Sequence, residues 1–264
     1  MFRSVIQYNG TKHSVPILSR DFVGLSRNSS TRGEACGTDW TVLFQCYARL
    51  VSDAPLSGRK AQAARNDSTI LEAARTVFMR DPSAPIAAVA HHAGVGVSAL
   101  YRRYESKEDL LRTLCTDGLQ RYIAIAEAAL AREVEPADSL ANFLRGIVDS
   151  DVHSLTVHLA GRFVPTDELR ALAVTAGNLA VRVLQRARSA GAVRRDIHIN
   201  DLALVFEQLA AVRLGDDERT RALRQRCLAV HLDGLRPAAA SSKLPGTPPT
   251  DAELGQRWVP VSSS

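Results

Sequence analysis

The chain has 264 residues, of which 45% are hydrophobic and 23% charged, with a formal net charge of +5. That make-up suits a globular protein of one or two domains and excludes a disordered or fibrous chain. No apolar run approaches the ~20 residues of a membrane span, and the N-terminus lacks the basic-then-apolar order of a signal peptide, so a cytoplasmic protein with no membrane partner is expected.

From Met1 to about Ser57 no helical or strand period is sustained, because Gly, Ser, Asn and Thr interrupt each apolar cluster. Residues 1–58 therefore read as a flexible N-terminal extension, in which Trp40 to Leu50 alone has some helical character. A clear helix follows: Ile70, Ala73, Ala74, Val77 and Phe78 form one apolar stripe at 3.6-residue spacing, and alanine-rich Arg59 to Arg65 extends it upstream. Asp81-Pro82-Ser83 breaks the pattern. Pro85 opens a second helix with Ile86, Val89, Ala90 and Ala93 on its inner face, and Gly94 ends it.

A third helix is predicted from Val97 to Tyr104, with Gly96 before it and Leu100 as its buried anchor. Ser106 followed by Asp109 has the form of a capping box opening a long fourth helix to about Ala131. Beyond Glu135 further helices are predicted at 137–150, 152–161, 166–189, 200–212 and 217–235, without strand alternation. After Arg236 the sequence turns to Pro, Ser, Gly and Ala, and residues 237–264 are expected to be a disordered tail.

The order of helices between Ile70 and Leu111 is that of a helix-turn-helix, whose third helix fits a DNA major groove. Arg102 and Arg103 follow buried Leu100 by two and three residues and leave the helix away from the core. A guanidinium grips guanine O6 and N7 bidentately or holds a phosphate. Val97, Ser98 and Ala99 are small enough to allow close approach to base edges. Tyr101 offers a hydroxyl to a phosphate, whereas Tyr104 is better read as packing on the first helix. Lys107 breaks a local rule, since a cation in the first turn of a helix opposes the macrodipole. It makes sense if a DNA phosphate arrives there; the competing reading is that Glu108 and Asp109 merely offset it on a solvated surface.

ILEAARTVF, the apolar helix ending in AHHAGV, and ALYRRYESKEDLL together resemble the DNA-binding domain of the tetracycline-repressor (TetR) family of bacterial transcriptional regulators. The resemblance implies an all-α fold: a three-helix helix-turn-helix DNA-binding domain over residues 59–113, then a helical ligand-binding and dimerisation domain over 114–236. It places the family's phosphate-contacting tyrosine and lysine on Tyr101 and Lys107, and its base-reading positions on Ser98, Ala99, Arg102 and Arg103. Two features depart from the family pattern: Gly96 stands where the recognition helix usually has a capping serine, and His91-His92 where the second helix commonly ends in basic residues. In the body only the layout is similar, although GAVRRDI and LAVHLDGLRP look like one subtype of the family's C-terminal domain.

The partners implied are a double-stranded DNA operator, an unidentified small-molecule effector and a second copy of the chain. Leu202, Val205, Phe206, Leu209, Leu228 and Leu232 are candidates for a four-helix dimer interface, with an ordinary intramolecular core as the even alternative. Phe143, Ile147, His158, Phe163 and Phe206 are candidates for lining an effector pocket, each of which on its own is better read as core.

No cofactor or metal is expected. Cys36, Cys46, Cys115 and Cys227 form no CxxC pair, and His153 and His158 are five apart, off the spacing that puts two ligands on one helix face. An enzyme is not indicated, since no phosphate loop, nucleophile elbow or HExxH is present. A helical interaction module without DNA binding is the remaining alternative, distinguished by the absence of salt-dependent binding.

Overall fold

The computed structural model describes residues 5–8, 11–14, 58–131 and 133–258, in two units that meet in sequence at Pro55 and Leu56. In the first unit, β1 (Val5–Tyr8) and β2 (Thr11–Ser14) pair antiparallel, Val5 opposite Ser14 and Tyr8 opposite Thr11. This pairing departs from the expectation of a segment without strand structure. The signal in the sequence was the dipeptide Asn9-Gly10 between two short polar-apolar runs, a pattern common at hairpins. The helix expected at Trp40 to Leu50 lies outside the described residues.

Among its described residues the second unit is helical. Its elements are α1 (Gly58–Arg80), α2 (Ile86–Ala93), α3 (Val97–Tyr101), α4 (Lys107–Leu130), α5 (Pro136–Asp149), α6 (Val152–Leu159), α7 (Asp167–Ser189), α8 (Ile199–Ala211) and α9 (Asp217–Gly234). Local chemistry sets the boundaries. The Asp81 carboxylate accepts from the Ser83 amide at 2.8 Å, closing the turn after α1. Gly94 ends α2 at φ +66°, a left-handed conformation that suits a residue without Cβ, and lets Val95 N–H reach Ala90 O at 3.0 Å. Ser106 Oγ accepts from Asp109 N–H at 3.1 Å, but Asp109 turns its carboxylate to Glu105 N–H at 3.3 Å, so only half of the expected capping box forms.

The apolar stripes face two cores. In the first, Ile70, Ala74 and Phe78 of α1, Val89 of α2, Leu100 of α3 and Leu110, Leu111 and Leu114 of α4 pack with Leu155 and Leu159 of α6, with Phe163 and with Leu169 of α7. This cluster crosses the domain boundary expected near residue 113, so α6 belongs to the same hydrophobic unit as the helix-turn-helix. The second core joins Phe143, Leu144 and Ile147 of α5, Val183 and Leu184 of α7, Leu202 and Leu209 of α8 and Leu228 of α9. Helix α4 contributes to both. Cys115, on α4, lies in the first core, and burial pushes its thiol pKa up to about 12.

The segment after Arg236, expected to be disordered, is fastened to the body. It forms a 3₁₀ turn at Pro237–Ala239, helix α10 (Asp251–Gly255) and a second 3₁₀ turn, Gln256–Trp258. Asn200 Nδ2 donates to Pro249 O and to Asp251 Oδ1, both at 2.8 Å, and Leu244 N–H donates to Asp196 Oδ2 at 2.8 Å. Arg257 pairs with Glu207, and the Trp258 ring meets Phe163 edge-on at 6.1 Å. These anchors are single polar contacts and one aromatic pair, which leave no periodic trace in a Pro- and Ser-rich sequence.

Phe78 is fully buried at the centre of the first core. Phe78→Ala is expected to lower the unfolding free energy by about 3–5 kcal/mol in chemical denaturation, and a loss below about 1 kcal/mol would show that this core does not hold the helix-turn-helix.

Candidate nucleic-acid interface

Helix α3 is five residues long and buries one side chain, Leu100. With that anchor inward, Val97, Ser98, Ala99 and Tyr101 are exposed, Tyr101 at 50%. Arg102 follows at the C-cap, exposed and without an ionic partner among the described residues. Tyr104 packs into the first core, as its spacing favoured, and burial raises its phenol pKa. At the end of α2, His91 and His92 are both exposed.

Two cations are placed differently from the sequence expectation. Arg103 folds back onto α1, where its Nε and Nη2 meet the two carboxylate oxygens of Asp67. Lys107 turns towards the α1–α2 turn: its Nζ donates to Pro82 O at 3.1 Å and lies 5.2 Å from the centre of the Phe78 ring. Partial burial lowers the lysine pKa against the opposing pull of Asp81. The like-signed macrodipole of α4 is thus countered from inside the protein, by a carbonyl and an aromatic face. The ions that the sequence grouped together therefore divide into Arg102, which faces outward, and Arg103 and Lys107, which brace the scaffold.

A family model described as "Bacterial regulatory proteins, tetR family" matches residues 70–114, and one described as "Transcriptional regulator SbtR-like, C-terminal domain" matches residues 135–237. The chain belongs to the TetR family. It is a transcriptional regulator with a helix-turn-helix DNA-binding domain. No curated protein matches the sequence. Among solved structures, the TetR-like regulator LfrR from Mycobacterium smegmatis, in complex with proflavine, is 22% identical; the match covers 69% of this chain and 99% of that one, with a TM-score of 0.50. The regulator SCO0520 from Streptomyces coelicolor is 28% identical over 65% of this chain and 99% of its own, with a TM-score of 0.49. The likeness to LfrR is one of fold. Among the described residues of this TetR-family chain, no helix is long and apolar enough to cross a membrane, and no group of three or more His, Cys, Asp or Glu gathers to hold a metal.

In the regulator's body the effector candidates divide between the two cores. Phe143 and Ile147 are buried in the second core and Phe206 packs beside it, whereas Phe163 lies in the first core. His158 Nδ1 donates to Ser154 O at 2.7 Å, and its Nε2 accepts from Arg213 Nη2 at 2.9 Å. Three of the dimer candidates, Leu202, Leu209 and Leu228, fill the subunit's own second core and cannot meet a second copy. Val205, Phe206 and Leu232 are half-buried against the same core. An apolar stripe shows that a helix face is covered, not by which chain. The large apolar side chains left outward on α7 and α9 are Val174 at 63% and Val230 at 70% exposure.

Sequence reasoning missed two arginines that join elements. Arg213, just after α8, binds Met79 O at the end of α1 and faces His158 of α6, so one side chain links body and helix-turn-helix. Arg224 of α9 is buried; its Nη1 meets Asp151 Oδ1 at 2.6 Å and its Nε donates to Val212 O at 3.1 Å, closing the end of α8. Asp151, with φ +53°, introduces α6 in the left-handed region. Beside this pair sits buried His153, its Nδ1 3.3 Å from Ile147 O and its Nε2 3.3 Å from Ser154 Oγ. A lone arginine or histidine carries no spacing signal, so only the tertiary structure discloses these partners.

Burial dominates at His153 and lowers its pKa to about 4, with Asp151 opposing the shift and Arg224 reinforcing it. The unfolded chain thus binds a proton that the native state refuses between about pH 6.5 and 4, and stability falls as pH drops through that window. The loss should approach about 2–3 kcal/mol near pH 4, read as a falling urea midpoint. His153→Gln should flatten that dependence, and an unchanged slope in the variant would remove His153 as its source.

Proposed function

We propose that this regulator is a ligand-responsive repressor, a cytoplasmic homodimer that holds a double-stranded operator until a small-molecule effector enters its body. The observation that carries the reading is the exposed α3 face, with Tyr101 and Arg102 outward on a helix-turn-helix anchored by Leu100. In this reading residues 59–113 form the DNA-binding head and 114–236 the ligand-binding and dimerising body. Val97, Ser98, Ala99 and Arg102 approach base edges, Tyr101 a phosphate, and Lys107 and Arg103 hold the surface that presents them.

One head contacts too little DNA for a specific site, and a twofold pair places two recognition helices about 34 Å apart in successive major grooves. The outward faces of α7 and α9 are the surfaces for that pairing, since Val174 and Val230 are exposed there while Leu202, Leu209 and Leu228 face inward. Effector coupling is supported by the shared first core and by Arg213, because a change in the packing of α6 or α8 reaches the end of α1 directly. A tenfold loss of operator occupancy needs about 1.4 kcal/mol of such coupling.

Selection of bound sequences from random DNA supplies the operator. On that operator, fluorescence anisotropy should show Arg102→Ala weakening binding by about tenfold or more, as expected for loss of a bidentate base contact of about 1–3 kcal/mol; unchanged affinity would contradict the assignment of the head. Separately, Val230→Asp should convert a dimer to a monomer in sedimentation velocity, with loss of specific binding. A variant that remains dimeric would move the interface elsewhere.

A further inference from the structure

Helix α1 begins at Gly58, while the family's DNA-binding model begins at residue 70. The first helix thus carries about three extra turns ahead of the matched domain. Asp67 sits in that extension, one turn before Ile70, and takes both Nε and Nη2 of Arg103 on its two carboxylate oxygens. Of these two contacts, Nη2 to Oδ2 is a hydrogen bond and Nε to Oδ1 an ion pair, so a carboxylate holds the guanidinium as a phosphate would. Both side chains remain about a third exposed, at 33% and 38%, so the pair stands at the surface beside the recognition helix.

We propose that Asp67 is a positioning and specificity-determining residue for DNA binding: it occupies Arg103 as an internal stand-in for phosphate and leaves Arg102 as the cation that α3 presents to DNA. The inference rests on the DNA-binding reading above and deepens it. Two adjacent arginines at the end of a recognition helix would both attract any duplex, because phosphate contacts carry no sequence information. With Arg103 tied to α1, one sequence-independent contact is withdrawn, and the reach of Arg102 is fixed by the braced backbone behind it. The same tie holds the end of α3 against α1, which a helix of five residues cannot do through its own hydrogen bonds. Nearby, Asp81 bonds Ser83 and Arg75 reaches Asp117, so the other described ions flanking α1 have partners of their own.

The test measures the salt dependence of binding to a mixed-sequence duplex of about 30 base pairs by fluorescence anisotropy. Each phosphate contact contributes a slope of about 0.9 in log K against log salt, equivalent to a three- to fourfold loss of affinity between about 50 and 200 mM. Asp67→Asn should steepen the slope by about one contact and narrow the gap between selected and mixed-sequence DNA, while Asp67→Glu should keep the wild-type slope. Arg103→Gln should lose clearly less of the wild-type slope than Arg102→Gln, which should lose about one contact. The gain in Asp67→Asn should vanish when combined with Arg103→Gln; if it persists, only bulk charge has changed and the proposal is overturned. An Arg103→Gln slope that falls as far as that of Arg102→Gln also overturns it, and decides the matter even if Asp67→Asn fails to fold. Wild-type protein without salt-dependent binding to any duplex would instead defeat the DNA-binding reading itself.

Discussion

Insertion of Leu100 into the first core is the constraint on which the DNA-facing surface depends. A five-residue helix has too few internal hydrogen bonds to persist alone, so α3 exists because Leu100 is fully buried in the first core and because Tyr104 follows it into the same core. With those two side chains fixed, the helical rotation dictates which residues point outward. The polar contacts then refine the arrangement: Arg103 ties the end of α3 to α1, and Lys107 ties the start of α4 to the turn after α1.

Much of this was legible in the sequence because it rests on short-range rules. The stripe Ile70, Ala73, Ala74 and Phe78 is the face that α1 buries, and the helices predicted beyond Glu135 match α5 to α9 to within a residue or two. Gly94, Ser106 and Thr166 act at helix ends as their chemistry suggests. What was not legible depends on which side chain meets which across the fold. Nothing near Arg103 in sequence announces Asp67, and nothing near Arg213 announces Met79 O. The stripe through Leu202, Leu209 and Leu228 was equally consistent with a second subunit or with the body's own interior, and packing against α5 and α7 chooses the interior.

Apolar packing runs across the junction of head and body. Sequence divides head from body after the first turns of α4, yet Leu155, Leu159 and Phe163 complete the head's own core. Helix α6 is consequently a shared wall, and Arg112 adds a hydrogen bond from α4 to Val164 O at 3.2 Å on the same side. Any rearrangement of the body that shifts α6 must repack side chains beneath the recognition helix, since a close-packed interior transmits displacement instead of absorbing it. The C-terminal segment leans on this junction too, through Trp258 against Phe163.

Cys115 lies within that shared core, and its elevated pKa has a chemical corollary. At neutral pH the buried thiol stays protonated, so peroxide or an alkylating reagent finds almost no nucleophile while the helices stay closed. The residue is thereby insulated from cellular oxidants, and its rate of modification serves as a clock for how often the junction opens.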